Sequence, residues 1–574
     1  MKNIIVYLIL FLTLNSYAQN VATTFEISGG KETTTYFNCI DYYQKLAKQF
    51  NTIQVKKMGL TDAGYPLHLV LVSNDQLFNT NNWHKQGKVV IMINNGIHPG
   101  EPDGIDASMM LVRDIVTKKI VLPNNVVLGI IPIYNIGGSL NRNSTTRVNQ
   151  DGPMSYGFRG NAQNLDLNRD FIKCDSREAK SFTEIFHYLN PHILVDNHVS
   201  DGADYQHTMT LLTTQQNKLG GAVGKFLHDS FEPALYKSME EKKWPICPYV
   251  NFETANPDKG WIAFYDAPRY SSGYAALFGT MAFVPETHML KPFEQRTKST
   301  YALMHTIIEQ STRFAQQIIQ AKKESVAAIQ QQQNFALTWK VDTTKFDSID
   351  FLGYEAQYKI SEVTGMQRLF YNHDKPFKKA VKFYNYFKGE KIITKPKAYI
   401  IPQGWHAVID LLKLNKVQMQ ILKKDTVIKV TASLIEQFKT STRPYEKHFK
   451  HSSVTVKEVE ESIQFLKGDV IIYTNQVVNR FLVETLEPEA DDSYFKWNFF
   501  DAILQQKEGY SNYRWEDVAA DYLAKNPALK IQLEEKKASD SAFEASASAQ
   551  LDFVYKNSPY YEAAHLRYPV FKVK

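Results

Sequence analysis

The chain of 574 residues is too long for one ordinary hydrophobic core, because such cores stop growing at about 250–300 residues, and two domains are expected. Hydrophobic residues at 44%, aromatics at 13% and charged residues at 22% match a globular protein and exclude a disordered or fibrous chain. The 66 basic and 60 acidic side chains are spread along the whole length, so the net charge of +6 gives no concentrated field of the kind that marks a nucleic-acid partner.

At the N-terminus, Lys2 precedes an apolar run over residues 4–14 and then Ser16-Tyr17-Ala18, the small-x-small pattern of a signal-peptidase site. A signal peptide over residues 1–18, cleaved after Ala18, is predicted. The run falls short of the roughly 20 apolar residues that a spanning helix needs, and no other segment reaches that length. No membrane span is therefore expected after cleavage. No Cys follows the run closely enough for a lipid anchor, which leaves a periplasmic or secreted product. Residues 19–31 are too few for an inhibitory pro-segment, and activity is expected as soon as the chain is exported. Cys39, Cys174 and Cys247 form no C-x-x-C pair, so neither a thiolate zinc site nor a redox pair is indicated. One disulfide with one Cys left over, or three buried thiols, both stay open.

From about residue 87 apolar β-rich runs at 88–94, 125–133, 191–197 and 280–285 alternate with helical stretches at 104–118 and 176–189. This pattern predicts an α/β fold with a mixed, mainly parallel central sheet sandwiched by helices. In such sheets ligands bind outside the carboxyl ends of the strands, so chemistry is sought just after each run.

Residues 294–333 contain no Gly or Pro and read as one long helix or two end to end, closing a catalytic domain over residues 19–330. The polar 330–334 tract is a plausible linker to a smaller mixed α/β domain over residues 336–574. There, strands are expected at 398–401, 426–431 and 469–473, with a helix from about Trp405. Residues 538–549 read as a flexible spacer or a weakly amphipathic helix. Mixed-charge stretches such as Lys322-Lys323-Glu324 read as solvated helix faces.

The first chemical signal is His98-Pro99-Gly100-Glu101, placed after one strand and before one helix. The second is His198 in Asp196-Asn197-His198, again at the end of an apolar run. A catalytic zinc takes three nitrogen or oxygen ligands and keeps one position open, and His98, Glu101 and His198 could supply that set. The third is Glu286 in Val284-Pro285-Glu286-Thr287, where a carboxylate beside zinc-bound water could act as general base. Read singly, each has a plainer explanation: a turn histidine, a helix N-terminal acid, a loop histidine and an exposed strand-end acid.

Between them lie Arg159 and Asp166-Leu167-Asn168-Arg169. In this order, His98-x-x-Glu101, Arg159, Asp166-x-Asn168-Arg169, His198 and Glu286 resemble the zinc carboxypeptidase family related to carboxypeptidase A, over roughly residues 35–325. The resemblance implies one Zn2+ per chain held by His98, Glu101 and His198, with Glu286 as general base and then general acid. It also implies Arg159 as the group that polarises the scissile carbonyl, Asn168 and Arg169 as the holders of the substrate's terminal carboxylate, and Asp166 as the acid that orients His98. Of Tyr265, Tyr270 and Tyr274, Tyr270 is the choice for the tyrosine that closes over substrate. The context Asp-Asn-His-Val departs from the small or hydroxyl residue that often follows the zinc histidine. The segment 486–492 resembles extensions of larger exported members, and its paired acids read as an acidic surface loop, with calcium binding or a place near the cleft as alternatives.

The expected activity is removal of the last residue from a peptide with a free C-terminal carboxylate, by an exported metallocarboxypeptidase. Two alternatives are carried. One is a zinc enzyme that trims cell-wall peptides or deacylates N-acyl amino acids; the other is a peptide-binding module without catalysis. Nothing in the sequence sets an oligomeric state.

Overall fold

The computed structural model describes residues 21–250 and 257–574, and the predicted signal peptide lies outside them. Helix α1 (Tyr36–Gln49) begins where the Thr35 hydroxyl accepts the Asn38 N–H. Strands β1 (Ile53–Leu60), β2 (Pro66–Val72) and β3 (Val89–Asn94) are followed by α2 (Asp103–Val116), β4 (Val126–Ile131) and α3 (Arg177–Leu189). Then come β5 (Ile193–Asp196), β6 (His198–Ser200), β7 (Met209–Thr213), β8 (Cys247–Pro248), β9 (Trp261–Ile262), α4 (Ser271–Ala276) and β10 (Met281–His288). The long predicted helix is two, α5 (Phe293–Arg313) and α6 (Ala315–Gln331), which break at Phe314.

All of these strands but β9, which pairs with a later hairpin strand, form a sheet ordered β1-β2-β4-β3-β5-β10-β7-β8, with β6 beside β10. The centre, β4-β3-β5-β10, is parallel, as is β7 with β8, whereas the pairs β1–β2, β2–β4 and β10–β7 are antiparallel, as the mixed, mainly parallel expectation required. Every residue of β3, β4 and β5 is buried, which is why these runs are continuously apolar instead of alternating. One face is covered by α1, α2, α5 and α6 through Leu46, Leu111, Leu303 and Ile318. The other is covered by α3 through Phe182, Ile185 and Phe186.

Lys322 departs from the solvated face read from sequence. It is buried where α6 crosses the strand ends, and its Nζ donates to Asn190 Oδ1 and Thr280 Oγ1, both at 3.1 Å, and to the Pro191 carbonyl. Burial pushes its amine down to about 7.

The 330–334 tract is mostly absorbed into elements, because α6 reaches Gln331 and β11 (Asn334–Val341) starts three residues later. Two long antiparallel hairpins follow: β12 (Asp347–Ile360) with β13 (Gln367–Tyr384), and, after β14 (Phe387–Thr394), β15 (Ala398–Ile401) and β16 (Gln420–Ile421), β17 (Thr426–Thr440) with β18 (His451–Phe465). With β19 (Val470–Tyr473) and β20 (Phe571–Val573), a six-stranded sheet takes the order β16-β19-β15-β20-β17-β18. The expected helix near Trp405 is His406–Leu414. The 538–549 stretch is helical, with Ser541–Glu544 and Ala547–Lys556 packed on Trp515 through Phe543 and Val554.

Ile400, Val430, Ala432, Phe465 and Phe571 form a small cluster of their own on the six-stranded sheet, but the larger share of the region's apolar side chains joins the N-terminal part. Tyr399, Leu412, Phe481, Trp497 and Tyr568 share one hydrophobic cluster with Phe186, Leu194 and Tyr274. The acidic segment read as a surface loop is corrected by this packing. Glu487 is buried and accepts from Tyr399 Oη and Lys572 Nζ, both at 2.8 Å, while Asp492 is wholly buried against Arg269 and Lys450. A buried carboxylate needs such partners, and they come from distant parts of the chain. Among the described residues no helix is long and apolar enough to cross a membrane.

Candidate active site

The site lies at the carboxyl ends of the parallel strands. His98 follows β3, and the Glu101 N–H donates to the His98 carbonyl at 2.8 Å, a tight turn that puts both side chains on one side. Gly100 is required there, since a Cβ would lie 2.6 Å from Arg147 Cδ and 3.0 Å from the Gly157 carbonyl. Gly104 lets α2 start against Asn197, between β5 and β6, since a Cβ would lie 2.3 Å from Asn197 Cβ. His198 opens β6, directly opposite Glu286 on β10. Behind Glu286, Asp103 at the start of α2 accepts from Thr287 Oγ1 at 2.5 Å and from Arg296 Nε at 3.0 Å, which ties β10, α2 and α5 together.

His98, Glu101 and His198 are buried and offer donor atoms that all lie within 4.8 Å of one another. Nδ1 of His98 is 3.2 Å from Glu101 Oε1, and Nδ1 of His198 is 3.2 Å from Glu101 Oε2. Donors placed about 2.0–2.1 Å from a tetrahedral ion stand roughly 3.3 Å apart, so these separations fit a zinc ligand set. His98 Nδ1 is buried and makes no hydrogen bond, an orphaned lone pair aimed at the common centre. The opposite nitrogens are held from behind: His98 Nε2 by Asp166 Oδ1 at 2.9 Å, and His198 Nε2 by Asp196 Oδ2 at 3.2 Å.

The charge distribution follows from this crowding. Burial would raise the Glu101 carboxyl, but His98 and Arg147 outweigh it and hold it well below the usual range. Burial likewise opposes charge on His198, yet Asp196 and Glu101 push its imidazole well above its ordinary value. At Glu286 burial outweighs such support. Burial pushes it up to about 8, with His198 drawing it down and Glu101 adding repulsion. A buried site with this excess of carboxylate is suited to a cation.

A cleft of about 290 Å³ holds these four side chains together with Arg159, Asn168, Arg169 and Tyr270, while Asp166 stands behind its lining. Arg159 is half-exposed, with Nη2 at 2.9 Å from Asp166 Oδ2 and Nη1 at 3.5 Å from Glu101 Oε1. Asp166 caps the 3-10 turn Leu167–Arg169 by accepting the Asn168 N–H at 2.9 Å, which sets both neighbours toward the cleft. Arg169 stacks over the Tyr270 ring at 4.8 Å. Of the other tyrosines weighed, Tyr265 donates to Asp491 and Tyr274 is fully buried, donating to Asn415 at 2.7 Å.

Three residues escaped the sequence reading. Arg147, whose Nη1 is 2.9 Å from Glu101 Oε1, lies in a loop with no local signal. Tyr249 lines the same cleft from the end of a two-residue strand. Asp196 was legible, because it stands two residues before His198 at the same strand end.

The profile of one family, described as zinc carboxypeptidase, matches residues 39–346. Carboxypeptidase 2 of Trichophyton rubrum is 21% identical over 431 residues, covering 71% of this chain and 73% of that protein. Probable carboxypeptidase 2 of Arthroderma benhamiae is 20% identical over 448 residues, covering 75% and 78%. Among solved structures, a metallo-carboxypeptidase from Burkholderia cenocepacia is 17% identical with a TM-score of 0.35, covering 47% of this chain and 68% of that one. A carboxypeptidase A from Helicoverpa armigera is 16% identical with a TM-score of 0.37, covering 51% and 75%. With more than half of its length matched by the family profile, the chain belongs to the zinc carboxypeptidase family of peptide-bond hydrolases.

Proposed function

We propose that the protein is an exported, zinc-dependent carboxypeptidase that removes the C-terminal residue of a peptide. The observation that carries this reading is the convergence of His98, Glu101 and His198 within 4.8 Å, on one cleft with Glu286, Arg159, Asn168 and Arg169. His98, Glu101 and His198 would hold one Zn2+, which when bound supplies Lewis-acid polarisation of the scissile carbonyl and acidifies water.

The chain's own groups do the rest. Arg169, with Asn168, binds the free α-carboxylate of the substrate through its fork of donors and so places the last peptide bond beside Glu286. Glu286 takes a proton from the attacking water and delivers it to the leaving amine. Arg159 faces the cleft and stabilises the negative charge that develops on the carbonyl oxygen. Asp166 and Asp196 hold the two imidazoles in the tautomer that leaves Nδ1 free. Tyr270 caps Arg169 and shields the bound carboxylate from water.

The catalytic role is assigned to residues 19–330. Export rests on Lys2, the apolar 4–14 run and Ser16-Tyr17-Ala18.

The test combines metal analysis of the purified protein with release of free amino acids from a mixed peptide library. About one zinc per chain, with release from free but not amidated C-termini, is expected. Release confined to cell-wall fragments would favour the trimming enzyme, and no zinc with no release would favour the binding module.

A further inference from the structure

The connection between β17 and β18 reaches back from the C-terminal region onto the segment that carries Asp166 and Asp175, behind the cleft. Tyr445 and His448 pair across it, with the Tyr445 N–H donating to the His448 carbonyl at 2.8 Å and the reverse bond at 3.1 Å. The two residues between, Glu446 and Lys447, both adopt left-handed conformations, with φ of +48° and +74°. That is the geometry of a turn in which Asn and Gly are the ordinary occupants. Two long charged side chains held there indicate a constraint other than chain reversal.

What the turn touches explains the constraint. Glu446 Oε2 accepts the backbone N–H of Asp166 at 2.8 Å, at the cap of the Leu167–Arg169 turn. Tyr445 is partly exposed, its hydroxyl accepts from Arg169 with Tyr270 and Arg269 nearby, and its ring stacks on the buried Trp497 with centroids 6.1 Å apart. His448 Nε2 is 2.7 Å from Asp175 Oδ2. The base of the arm is held in turn by Asp492, which accepts from Lys450 Nζ at 2.9 Å, from Trp497 Nε1 at 3.2 Å and from Arg269 at both its backbone N–H and Nη1, at 2.9 and 2.5 Å. Arg269 packs on one side of Tyr270 at 5.2 Å, and Arg169 on the ring at 4.8 Å.

We infer that the 445–448 turn is a positioning brace behind the substrate site: Glu446 holds the Asp166–Asn168–Arg169 segment and Tyr445 holds Arg169, so that the C-terminal region sets affinity for the substrate's free carboxylate. The inference rests on the carboxypeptidase reading above. Its logic is that a bidentate Arg–carboxylate contact is only as strong as the orientation of the guanidinium. Arg169 reaches the cleft from a three-residue turn, which has too few internal hydrogen bonds to hold that orientation alone.

The test uses the full-length, zinc-loaded protein with Glu446→Ala, Glu446→Gln and Tyr445→Phe, assayed on an N-blocked dipeptide. Losing one such hydrogen bond corresponds to roughly a three- to tenfold change in binding. Glu446→Ala is expected to raise KM by about that factor, with kcat within about twofold and zinc content and melting temperature unchanged. Glu446→Gln keeps the acceptor and restores KM, which a merely structural role would not produce. Tyr445→Phe is expected to raise KM in the same direction. Wild-type turnover with KM unmoved in both Glu446→Ala and Tyr445→Phe overturns the inference alone. A zinc-loaded wild type that releases no C-terminal residue overturns the carboxypeptidase reading and this inference with it.

Discussion

Glu286 and His198 face each other across the parallel register of β10 and β6, which places a carboxyl group beside the metal-ligand set without itself joining it. Substituting Glu286→Gln keeps the shape and removes the proton acceptor. The expected result is a loss of about 10²–10⁴ in kcat with zinc retained, read by steady-state kinetics alongside metal analysis. A variant that keeps a tenth or more of wild-type kcat would remove Glu286 from the chemistry.

The 2.9 Å contact between His98 Nε2 and Asp166 Oδ1 fixes which imidazole nitrogen faces the centre. Asp166→Asn weakens that hold and also takes from Arg159 the nearer of its two carboxylate partners. Zinc affinity should fall by about 10–100-fold, measured by competition with a chromogenic chelator. Unchanged affinity would make Asp166 a partner of Arg159 alone.

Metal removal has a thermodynamic signature as well as a kinetic one. A ligand that binds only the folded state stabilises it, by about 4 kcal/mol at a free concentration 1,000-fold above Kd. Chelation should therefore lower the melting temperature, and added zinc should restore it. His98→Ala should melt at the same temperature with and without zinc, and a wild type insensitive to chelator would contradict the assigned ligands.

Asp492 carries a pH prediction. Burial acts to raise its carboxyl, but Lys450 and Arg269 outweigh that and bring it down to about 2. A folded-state value below the unfolded one means stability that is present above the unfolded pKa, near 3.8, and lost as pH falls through about 2. The shift corresponds to about 2 kcal/mol. Urea titrations of wild type and Asp492→Asn should differ at pH 7, and the gap should close between pH 4 and 2; a gap independent of pH would refute the assignment.

How much of this was readable from the chain depends on where each residue sits in the pattern. His98, Glu101, His198 and Glu286 follow runs that are buried on both faces and hence apolar throughout, so strand ends, and the groups just beyond them, stand out. Arg147 and Tyr249 sit in or beside irregular segments, where only three-dimensional closure brings them to the cleft. The hairpin β12–β13 was missed because most of its positions are exposed or half-exposed, which erases the alternation that marks a half-buried strand. The acids at 487 and 492 misled for the opposite reason. Charge predicts exposure unless a partner is known, and Lys572, Lys450 and Arg269 lie far away in sequence.

Cys39, Cys174 and Cys247 are all free and buried, and burial pushes each thiol above its ordinary value. Their sulfur atoms are thus kept protonated and out of reach of oxidants or exchange partners. The covalent framework of the chain is accordingly indifferent to redox potential. Recombinant material made in a reducing cytosol should be identical in its bonding to material matured in an oxidising compartment, with no shuffling step between synthesis and the native state.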